Sequence, residues 1–595
     1  MKTIRIILSY LVFFQTISAS AQNSISLKWW NPADSKFSVI EGQAWPNEVK
    51  NTYDRFPARA EKTVNPNVWN ISHSAAGLML RFKSNASSIT IRYKVNGEFA
   101  MSHMPSTGVS GIDLYAVDKD GRWQWAAGNF SFSDTITYKY TNLYGGDYYK
   151  EKGCEYRLYL PLYNAVTWLE IGVPTDAQFI PLQTRKDKPI VVYGTSIGQG
   201  ACASRPGMAW TNILGRRLDH PIIDISFSGS GKLENSVTDL LNEIDAKAYI
   251  LDCLPNLTVL SGFKPDEVTR RILETVHRLR KQHPEVPILL TAHSGIAENV
   301  MDTTRLHDYS GVNLVLDKSF QLLKTEDIKK VYLIPNNAIH LDLNSTIDGL
   351  HPNDVGMLHY ADAFESYLRK ILDEPIGNEI TTQPCIQYRD GYYNWEERHN
   401  ERMKLNSKNP PSIVFIGNSI IHYWGGEPKA PIARGSDSWD KEFSPLNVGN
   451  FGFGWDKIEN VLWRIYHGEL DGFKAKQVLI MIGTNNLVDN TNDEIIAGLK
   501  QLGEVIIQRQ PQAQITLIGL LPRRSMEDRI KNLNYSIARL AGQLNVKYTD
   551  PGNSLLQPNG HIDESLFQDG LHPNAQGYWK IANFLKPELI SSKKQ

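Results

Sequence analysis

The chain has 595 residues, of which 41% are hydrophobic and 21% are charged, and its formal net charge at pH 7 is −1. This is ordinary globular composition, with room for roughly three or four domains and no sign of intrinsic disorder. A charge this close to zero gives no electrostatic attraction to nucleic acid or to an anionic membrane, so neutral partners such as sugars and their polymers are favoured.

The first 21 residues have the pattern of a signal peptide. Lys2 and Arg5 precede the apolar run 6–14, and Ala-Ser-Ala at 19–21 is a cleavage site. The run is too short to cross a bilayer, and no later segment has about 18 successive apolar residues. We therefore expect an exported protein, periplasmic or secreted, with a mature chain beginning at Gln22 and no transmembrane segment. Because no cysteine follows the small residues, a lipid anchor is not expected there.

Residues 22–182 are predicted to form an all-β domain. In the stretch SSITIRYKV, Ile89, Ile91 and Tyr93 alternate with polar residues, as in a strand with one buried face. Similar runs separated by Gly, Asn, Asp and Ser favour a two-sheet sandwich of jelly-roll type. The tryptophans of this region could stack on sugars, although most are expected in the core; they include Trp29, Trp30, Trp45, Trp69, Trp123 and Trp125.

Two α/β domains are predicted next, over residues 186–373 and 385–592. They begin with KPIVVYGTS and PSIVFIGNS, short continuous apolar runs that end in small residues, as parallel strands buried on both faces do. Apolar strands and segments of helical spacing then alternate in both regions. A polar connection at about 374–384 separates them.

The hexapeptide DGLHPN occurs in both regions, at 348–353 and at 569–574. The other landmarks keep nearly the same spacing, because Ser196 precedes His351 by 155 residues and Ser419 precedes His572 by 153. A repeated segment in step with others indicates a duplicated unit.

The repeated residues predict nucleophilic catalysis in each copy. A serine at the carboxyl end of the first buried strand can attack a carbonyl group if a histidine removes its proton. The aspartate of DGLHPN precedes the histidine by three residues, and on one turn of helix the two side chains would face the same side, so that the carboxylate orients the imidazole. The predicted residues are Ser196, Asp348 and His351 in the first copy and Ser419, Asp569 and His572 in the second.

Acyl transfer also needs donors to the oxyanion of the tetrahedral intermediate. A glycine brings a backbone N–H close, and an asparagine side chain adds a second donor. A glycine lies 33 residues after each serine. The candidates are Gly229 and Asn256 in the first copy and Gly452 and Asn485 in the second. The same register places Asp224 where the second copy has Asn447.

Other interpretations of these residues are weaker. The Asp-Gly-Leu-His segment could be a simple turn or half of a metal site, but no third ligand recurs at suitable spacing and no HExxH is present, so neither a metal nor a cofactor is expected. The cysteines are far apart, and buried free thiols are favoured over a disulfide, although one bridge stays open. They are Cys154, Cys202, Cys253 and Cys385.

Short motifs carry a family resemblance. GTSIGQG, SFSGSG, LPN and DGLHPN in the first copy resemble blocks I, II, III and V of the SGNH hydrolases, also called GDSL esterases, as do GNSI, NVGNFG, IGTNN and DGLHPN in the second. The resemblance implies a flavodoxin-like three-layer α/β/α fold, metal-independent hydrolysis of acyl esters, and a nucleophile, two oxyanion donors and an Asp–His pair in each copy. Two motifs depart from the family, DCLPN in place of Gly-x-Asn and GNS in place of GDS.

The resemblance also suggests a substrate. The second copy is similar to platelet-activating-factor acetylhydrolase catalytic subunits, and the amino-terminal region resembles the β-sandwich that precedes the SGNH domain in some exported bacterial esterases. Such relatives commonly remove O-acetyl groups from plant polysaccharides, so pectin or xylan is implied as the partner. The alternatives are an esterase for lipids or other short-chain esters, and a glycan-binding protein with one or both hydrolase domains inactive.

Overall fold

The computed structural model describes residues 26–143, 146–295, 301–389 and 391–591. The predicted signal peptide, residues 1–21, lies outside these ranges. Among the helices within them, none has both the length and the hydrophobicity needed to cross a bilayer. All four cysteines lie within the described residues and are free thiols.

The amino-terminal part is a sandwich of two antiparallel sheets. Its strands are β1 (Leu27–Trp30), β2 (Ile40–Glu41), β3 (Met79–Ser84), β4 (Ser88–Val95), β5 (Asp113–Val117), β6 (Trp123–Ala126), β7 (Asn129–Ser131), β8 (Ile136–Thr141), β9 (Cys154–Tyr159), β10 (Val166–Pro174) and β11 (Phe179–Pro181). One sheet has the order β1, β10, β4, β8, β7 and the other β11, β3, β9, β5, β6, with β2 paired to β3. Ile89, Ile91 and Tyr93 of β4 are buried against Leu80 and Leu158 of the opposite sheet, as the alternation predicts.

Three short helices lie between strands in this part of the chain, α1 (Pro66–Ser72), α2 (Ser106–Val109) and α3 (Asp147–Lys152). A parallel sheet follows, with strands β12 (Ile190–Gly194), β13 (Ile222–Ser226), β14 (Ala248–Asp252), β15 (Ile288–Thr291) and β16 (Val331–Ile334). Its helices are α4 (Ser196–Gln199), α5 (Trp210–Leu218), α6 (Asn235–Leu241), α7 (Pro265–Gln282), α8 (Thr303–Thr325) and α9 (Asp354–Ile371).

The second parallel sheet repeats this arrangement. Its strands are β17 (Ile413–Gly417), β18 (Val448–Gly452), β19 (Gln477–Met481), β20 (Gln514–Ile518) and β21 (Lys547–Thr549). Its helices are α10 (Trp395–Lys408), α11 (Ser419–His422), α12 (Ser436–Glu442), α13 (Ile458–Tyr466), α14 (Asn492–Arg509), α15 (Glu527–Leu544) and α16 (Ala575–Ser591).

Both parallel sheets have the same topology. Their orders are β13, β12, β14, β15, β16 and β18, β17, β19, β20, β21, which is the flavodoxin-like order 2-1-3-4-5. Residues of β12 alternate between two hydrophobic clusters, so that Val191 and Tyr193 pack with α6 to α8 and Ile190 and Val192 pack with α5 and α9. Helices therefore cover both faces of the sheet, and the predicted fold class is confirmed.

Strand pairing shows which residues of the two copies correspond. The pairs are Gly194 with Ser226 and Asp252 in the first sheet, and Gly417 with Gly452 and Met481 in the second. Because Val192 pairs with Asp224 and Phe415 pairs with Asn450, Asp224 corresponds to Asn450. The predicted correspondence with Asn447 is wrong, since the connection that leads into β18 is three residues longer than the one into β13.

Part of the segment 45–72, between β2 and β3, packs against the first parallel sheet, whereas Tyr53 of the same segment packs in the sandwich core. Trp45, Phe56 and Trp69 are buried in the same cluster as Tyr193 of β12. These two tryptophans are therefore core residues of the α/β domain, whereas Trp125 of the sandwich is 53% exposed.

A buried arginine from outside each sheet holds its second strand. Arg55 donates from Nη1 to the carbonyl oxygen of Ser226 at 2.8 Å, and Arg398 of α10 donates from Nε to that of Gly452 at 2.9 Å. Ser226 and Gly452 correspond, so the segment between β2 and β3 and the helix before the second sheet make the same contact.

Asp219, at the end of α5, joins all three parts of the chain. Its carboxylate accepts from Arg157 of the sandwich at 2.7 Å and from Trp463 Nε1 of α13 at 2.8 Å. Burial alone raises the pKa of Asp219, but Arg157 and Arg185 outweigh it and hold the pKa well below the ordinary value. The charge that links the domains is therefore kept at neutral pH.

Candidate active site

The first candidate site lies where β12 ends. Ser196 is the first residue of α4, and Thr195 before it caps that helix by accepting from Ile197 N at 3.4 Å. Ser196 Oγ is 2.9 Å from His351 Nε2, and His351 Nδ1 is 2.8 Å from Asp348 Oδ2. When Nδ1 carries the proton and donates it in a hydrogen bond to the carboxylate, Nε2 is unprotonated and can accept the hydroxyl proton of the serine.

The second site repeats this geometry. Ser419 begins α11 after β17, and Asn418 caps the helix by accepting from Ile420 N at 2.9 Å. The Ser419 Oγ to His572 Nε2 distance is 2.9 Å, and His572 Nδ1 is 2.7 Å from Asp569 Oδ2. Asparagine in GNS and threonine in GTS therefore both cap the helix that the serine begins, and the asparagine makes the shorter hydrogen bond.

The hexapeptide DGLHPN is a turn followed by a helix cap, and not the helical turn that the spacing suggested. Gly349 and Gly570 have φ of +84° and +79°, which a helix does not allow. Asp348 Oδ1 accepts from the backbone N–H of His351 at 2.7 Å, and Asp569 does the same for His572 at 2.8 Å. The carboxylate thus holds the histidine by its backbone and by its ring.

The last residue of the hexapeptide caps the helix that follows. Asn353 accepts from Val355 N at 2.9 Å at the start of α9, and Asn574 accepts from Gln576 N at 3.0 Å at the start of α16. In both copies the motif orients the histidine and starts the final helix. These two roles explain why the whole hexapeptide occurs twice.

Gly229 lies in the loop after β13, at the sheet edge that also carries Ser196. Its φ is +65°, and a Cβ at this position would find no atom within 4 Å. Gln199 of α4 accepts from Ser228 N at 2.9 Å and so holds the backbone of the residue before Gly229. The Gly229 N–H is therefore a suitable candidate for an oxyanion donor.

Asn256 follows β14 at the same edge. With its amide oriented so that the oxygen faces the N–H groups of Ser230 and Gly231, both at 3.2 Å, the amide nitrogen is directed away from that loop. This orientation satisfies the oxygen and keeps the nitrogen as the donor.

Gly452 does not match its predicted role. It ends β18 at the position of Ser226, and its N–H donates to Asn450 Oδ1 at 2.8 Å. A backbone N–H that is already engaged inside the strand is not a donor to the substrate. Counting 33 residues from the serine failed because of the three-residue insertion before β18.

The residue that corresponds to Gly229 is Trp455, which sequence reasoning missed. Both follow the end of the second strand by three residues, and their φ values are +65° and +64°. The preceding N–H, that of Gly454, donates to His422 Nδ1 at 3.1 Å, just as Ser228 donates to Gln199 in the first site. The backbone N–H of Trp455 is therefore the candidate donor here.

Asn485 keeps its predicted place. It follows β19 by four residues, as Asn256 follows β14, and its Nδ2 donates one hydrogen to Asp456 O at 2.9 Å. An amide nitrogen carries two hydrogens, so one stays available for a substrate. Asp456 is itself anchored by a buried ion pair with Arg464 at 2.9 Å.

Comparisons with known proteins show which family the chain matches. Models of the GDSL-like lipase/acylhydrolase family match residues 187–369 and 415–580, and a model described as the N-terminus of Esterase_SGNH_hydro-type matches residues 27–179. Platelet-activating factor acetylhydrolase IB subunit alpha2 of Homo sapiens is 33% identical over 202 residues, which are 33% of this chain and 83% of that protein. The chain belongs to the GDSL-like, or SGNH, hydrolase family. It is an esterase with tandem SGNH domains.

Two further relatives of this SGNH hydrolase extend the comparison. Subunit alpha1 of the same acetylhydrolase from Homo sapiens is 29% identical over 218 residues, covering 36% of this chain and 90% of that protein. The crystal structure of a GDSL-like protein from Bacteroides ovatus superposes with a TM-score of 0.53 at 30% identity, over 58% of this chain and 98% of that one.

Histidine protonation at the second SGNH site is shifted by its surroundings. Burial lowers the pKa of His572 most, the hydrogen bond and charge of Asp569 oppose this, and the cations of Arg434 and Arg523 lower it further. The net pKa lies below the ordinary value of 6.5. The hydrogen bonds from the histidines outweigh burial and lower the pKa of both Asp348 and Asp569.

This shift gives a pH prediction. Arg434 Nη1 lies 3.6 Å from Asp569 Oδ2, so removing its charge in Arg434→Gln should raise the pKa of His572. Because only the neutral imidazole accepts the serine proton, the acid limb of kcat/KM should move to higher pH, by about 0.5 to 1 unit. The profile is measured with p-nitrophenyl acetate in a Ser196→Ala background. Arg539→Gln, an exposed arginine on α15, is the control, and an unmoved limb in Arg434→Gln contradicts the prediction.

The two sites differ in the ring that lies beside the histidine. At the second site Tyr423 lies 5.7 Å from the His572 ring, tilted by 45°. The first copy has Gly200 at the position of Tyr423, and His103 of the sandwich takes the ring's place, 6.1 Å from His351 at the same 45° tilt.

The sandwich is held against the first site by direct contacts. Thr107 Oγ1, beside the His103 loop, donates to Ser204 O at 2.6 Å, and a side chain at Gly200 would meet Leu162 at 3.0 Å. The amino-terminal sandwich thus forms part of the first site's wall, which the sequence did not indicate.

In the described residues, no group of three or more His, Cys, Asp or Glu side chains could hold a metal ion.

Proposed function

We propose that the protein is an exported carbohydrate esterase that removes O-acetyl groups from plant cell-wall polysaccharide of the pectin or xylan type, with a working site in each α/β domain. The observation that carries the proposal is the same hydrogen-bonded triad in both domains. In each site the serine Oγ lies 2.9 Å from the histidine Nε2. The histidine Nδ1 lies 2.8 Å from the aspartate Oδ2 in the first site and 2.7 Å in the second. The presence of this geometry in both α/β domains supports catalysis at both sites.

In each site the reaction is a double displacement. The serine Oγ attacks the acetyl carbonyl carbon while the histidine Nε2 takes the hydroxyl proton. The sugar oxygen leaves with that proton, which forms the acetyl-enzyme, and water then repeats the sequence to release acetate and the free serine. Asp348 and Asp569 keep the imidazole in the required tautomer and stabilise its cation.

The oxyanion is stabilised by one backbone and one side-chain donor in each site. Gly229 N–H and Asn256 Nδ2 serve the first site, and Trp455 N–H and Asn485 Nδ2 serve the second. Such donors favour the tetrahedral intermediate over the planar ester, because the negative charge exists only there.

Three features support a short acyl group on an exported polysaccharide substrate. The curated relatives are acetylhydrolases by name, which favours acetyl. The near-zero net charge of the chain favours a substrate that needs no electrostatic attraction. The signal-peptide pattern of residues 1–21 supports export to the compartment where such polymers are met. An acetylated lipid is the second candidate, because platelet-activating factor is the substrate in the relatives' name.

The proposal is tested by acetate release from acetylated pectin, acetylated xylan and an acetyl-bearing phospholipid. We expect the glycans to release acetate faster than the lipid. Because His103 and Tyr423 give the two sites different walls, Ser196→Ala and Ser419→Ala should also release acetate from different ring positions. Faster release from the lipid would favour the second candidate. Identical product positions would show that the two sites do not differ in the acetyl groups they remove. Binding of glycans without any release of acetate would favour a glycan-binding protein.

A further inference from the structure

Trp455 is in an unusual backbone state for its size. Its φ is +64°, in the left-handed region where glycine is favoured and a bulky side chain is strained. Its side chain is also 51% exposed, so strain is not offset by full burial of the ring. A residue that loses stability on both counts is found mainly at functional sites, where the strain serves binding or catalysis.

The first copy shows where a side chain at this position points. Gly229 has the same φ within one degree, and a Cβ built there meets no atom within 4 Å. The corresponding side chain therefore extends into open space above the sheet edge that carries the nucleophile. In the second copy that space is taken by an indole ring.

Buried polar contacts anchor the loop that presents the indole. Asp456 is fully buried, paired with Arg464 at 2.9 Å and held by Trp395 Nε1 at 2.7 Å. Its carbonyl oxygen accepts from Asn485 at 2.9 Å. The ring thus stands beside the candidate oxyanion donor on a preorganised base, and a ligand that meets it pays little to order it.

We propose that Trp455 is a stacking platform for the pyranose ring that carries the acetyl group at the second site. A pyranose has a flat face of C–H groups that suits an indole face, while its hydroxyl groups stay in water beyond a half-exposed ring. A long acyl chain would instead need an enclosed apolar pocket. The first site has glycine here and lacks the platform. This inference rests on the proposed function and names its substrate class.

The test compares two acetate esters that differ in the alcohol. In a Ser196→Ala background, KM is measured for acetylated xylo-oligosaccharide and for ethyl acetate, which has no ring. In Trp455→Gly the ratio of the KM for the oligosaccharide to the KM for ethyl acetate should rise about tenfold. In Trp455→Phe, which keeps a ring and the backbone strain, the same ratio should rise by about two- to threefold. Melting temperature serves as the folding check, and Trp455→Gly should not lower it because glycine relieves the left-handed strain.

The outcomes separate the inference from the proposed function. An unchanged or lower KM ratio in Trp455→Gly, with acetate still released from both esters, overturns the platform alone. If the Ser196→Ala protein releases acetate from neither ester, the proposed function of the second site fails instead. As the reciprocal variant, Gly229→Trp in a Ser419→Ala background should lower the same ratio at the first site, and a raised ratio there counts against the platform.

Discussion

Replacing both serines, in Ser196→Ala/Ser419→Ala, should lower turnover of p-nitrophenyl acetate by about 10⁴-fold or more. The reason is that each hydroxyl is the atom that forms the acyl-enzyme, and each lies 2.9 Å from its own histidine. Either single variant keeps one complete site, so its loss should equal that site's share of the activity. The double variant is therefore the decisive one.

The control for this experiment is Ser407→Ala, which removes an exposed hydroxyl on α10 that donates to Lys404 O at 3.0 Å within the same helix. It should keep the wild-type rate. If the double serine variant turns over the ester at an undiminished rate while remaining folded, neither serine is the nucleophile and the proposed mechanism is wrong.

Removing the oxyanion side chain should have the second-largest effect. Asn485→Ala in a Ser196→Ala background, and Asn256→Ala in a Ser419→Ala background, should each lower kcat by about 10²- to 10³-fold with little change in KM. The asparagine donor contributes mainly when negative charge has formed on the carbonyl oxygen. A loss confined to kcat is the signature of that role.

Asn486→Ala provides a matched control for Asn485. Asn486 is buried and donates to Glu459 Oε2 at 2.9 Å, so its loss should lower the melting temperature and leave kcat largely intact. A rise in KM with normal kcat in Asn485→Ala would assign this side chain to substrate binding and not to the intermediate.

The triads could be predicted from sequence because their chemistry is local. Asp and His lie within one hexapeptide whose turn brings them together, and the serine directly follows an apolar strand. The reason given for the pair was wrong, since a glycine with positive φ excludes the helical turn. The pairing still held, because a carboxylate that accepts from the backbone N–H at i+3 brings the same two side chains into contact.

The second oxyanion donor could not be placed by counting. A three-residue insertion in the connection before β18 costs little free energy in a loop, yet it shifts every later residue relative to the serine. Only the ladder between β17 and β18 shows that Gly452 lies inside the strand. The sequence did hold one signal for the correct alignment. Phe227 and Phe453 each directly follow the second strand and lie under an arginine, Arg55 or Arg398. Aligning these two phenylalanines places Trp455 opposite Gly229.

The amino acid sequence by itself determined the two α/β domains, the sandwich and both Ser–His–Asp sets, because hydrophobic periodicity and short motifs encode local structure. Only the tertiary structure decided that Trp455 stands in the place of Gly229, that His103 of the sandwich faces the first site, and that Trp45, Phe56 and Trp69 lie in the α/β core. Each of these depends on contacts between segments far apart in the chain. Such contacts follow from strand register and domain packing, which no local pattern specifies.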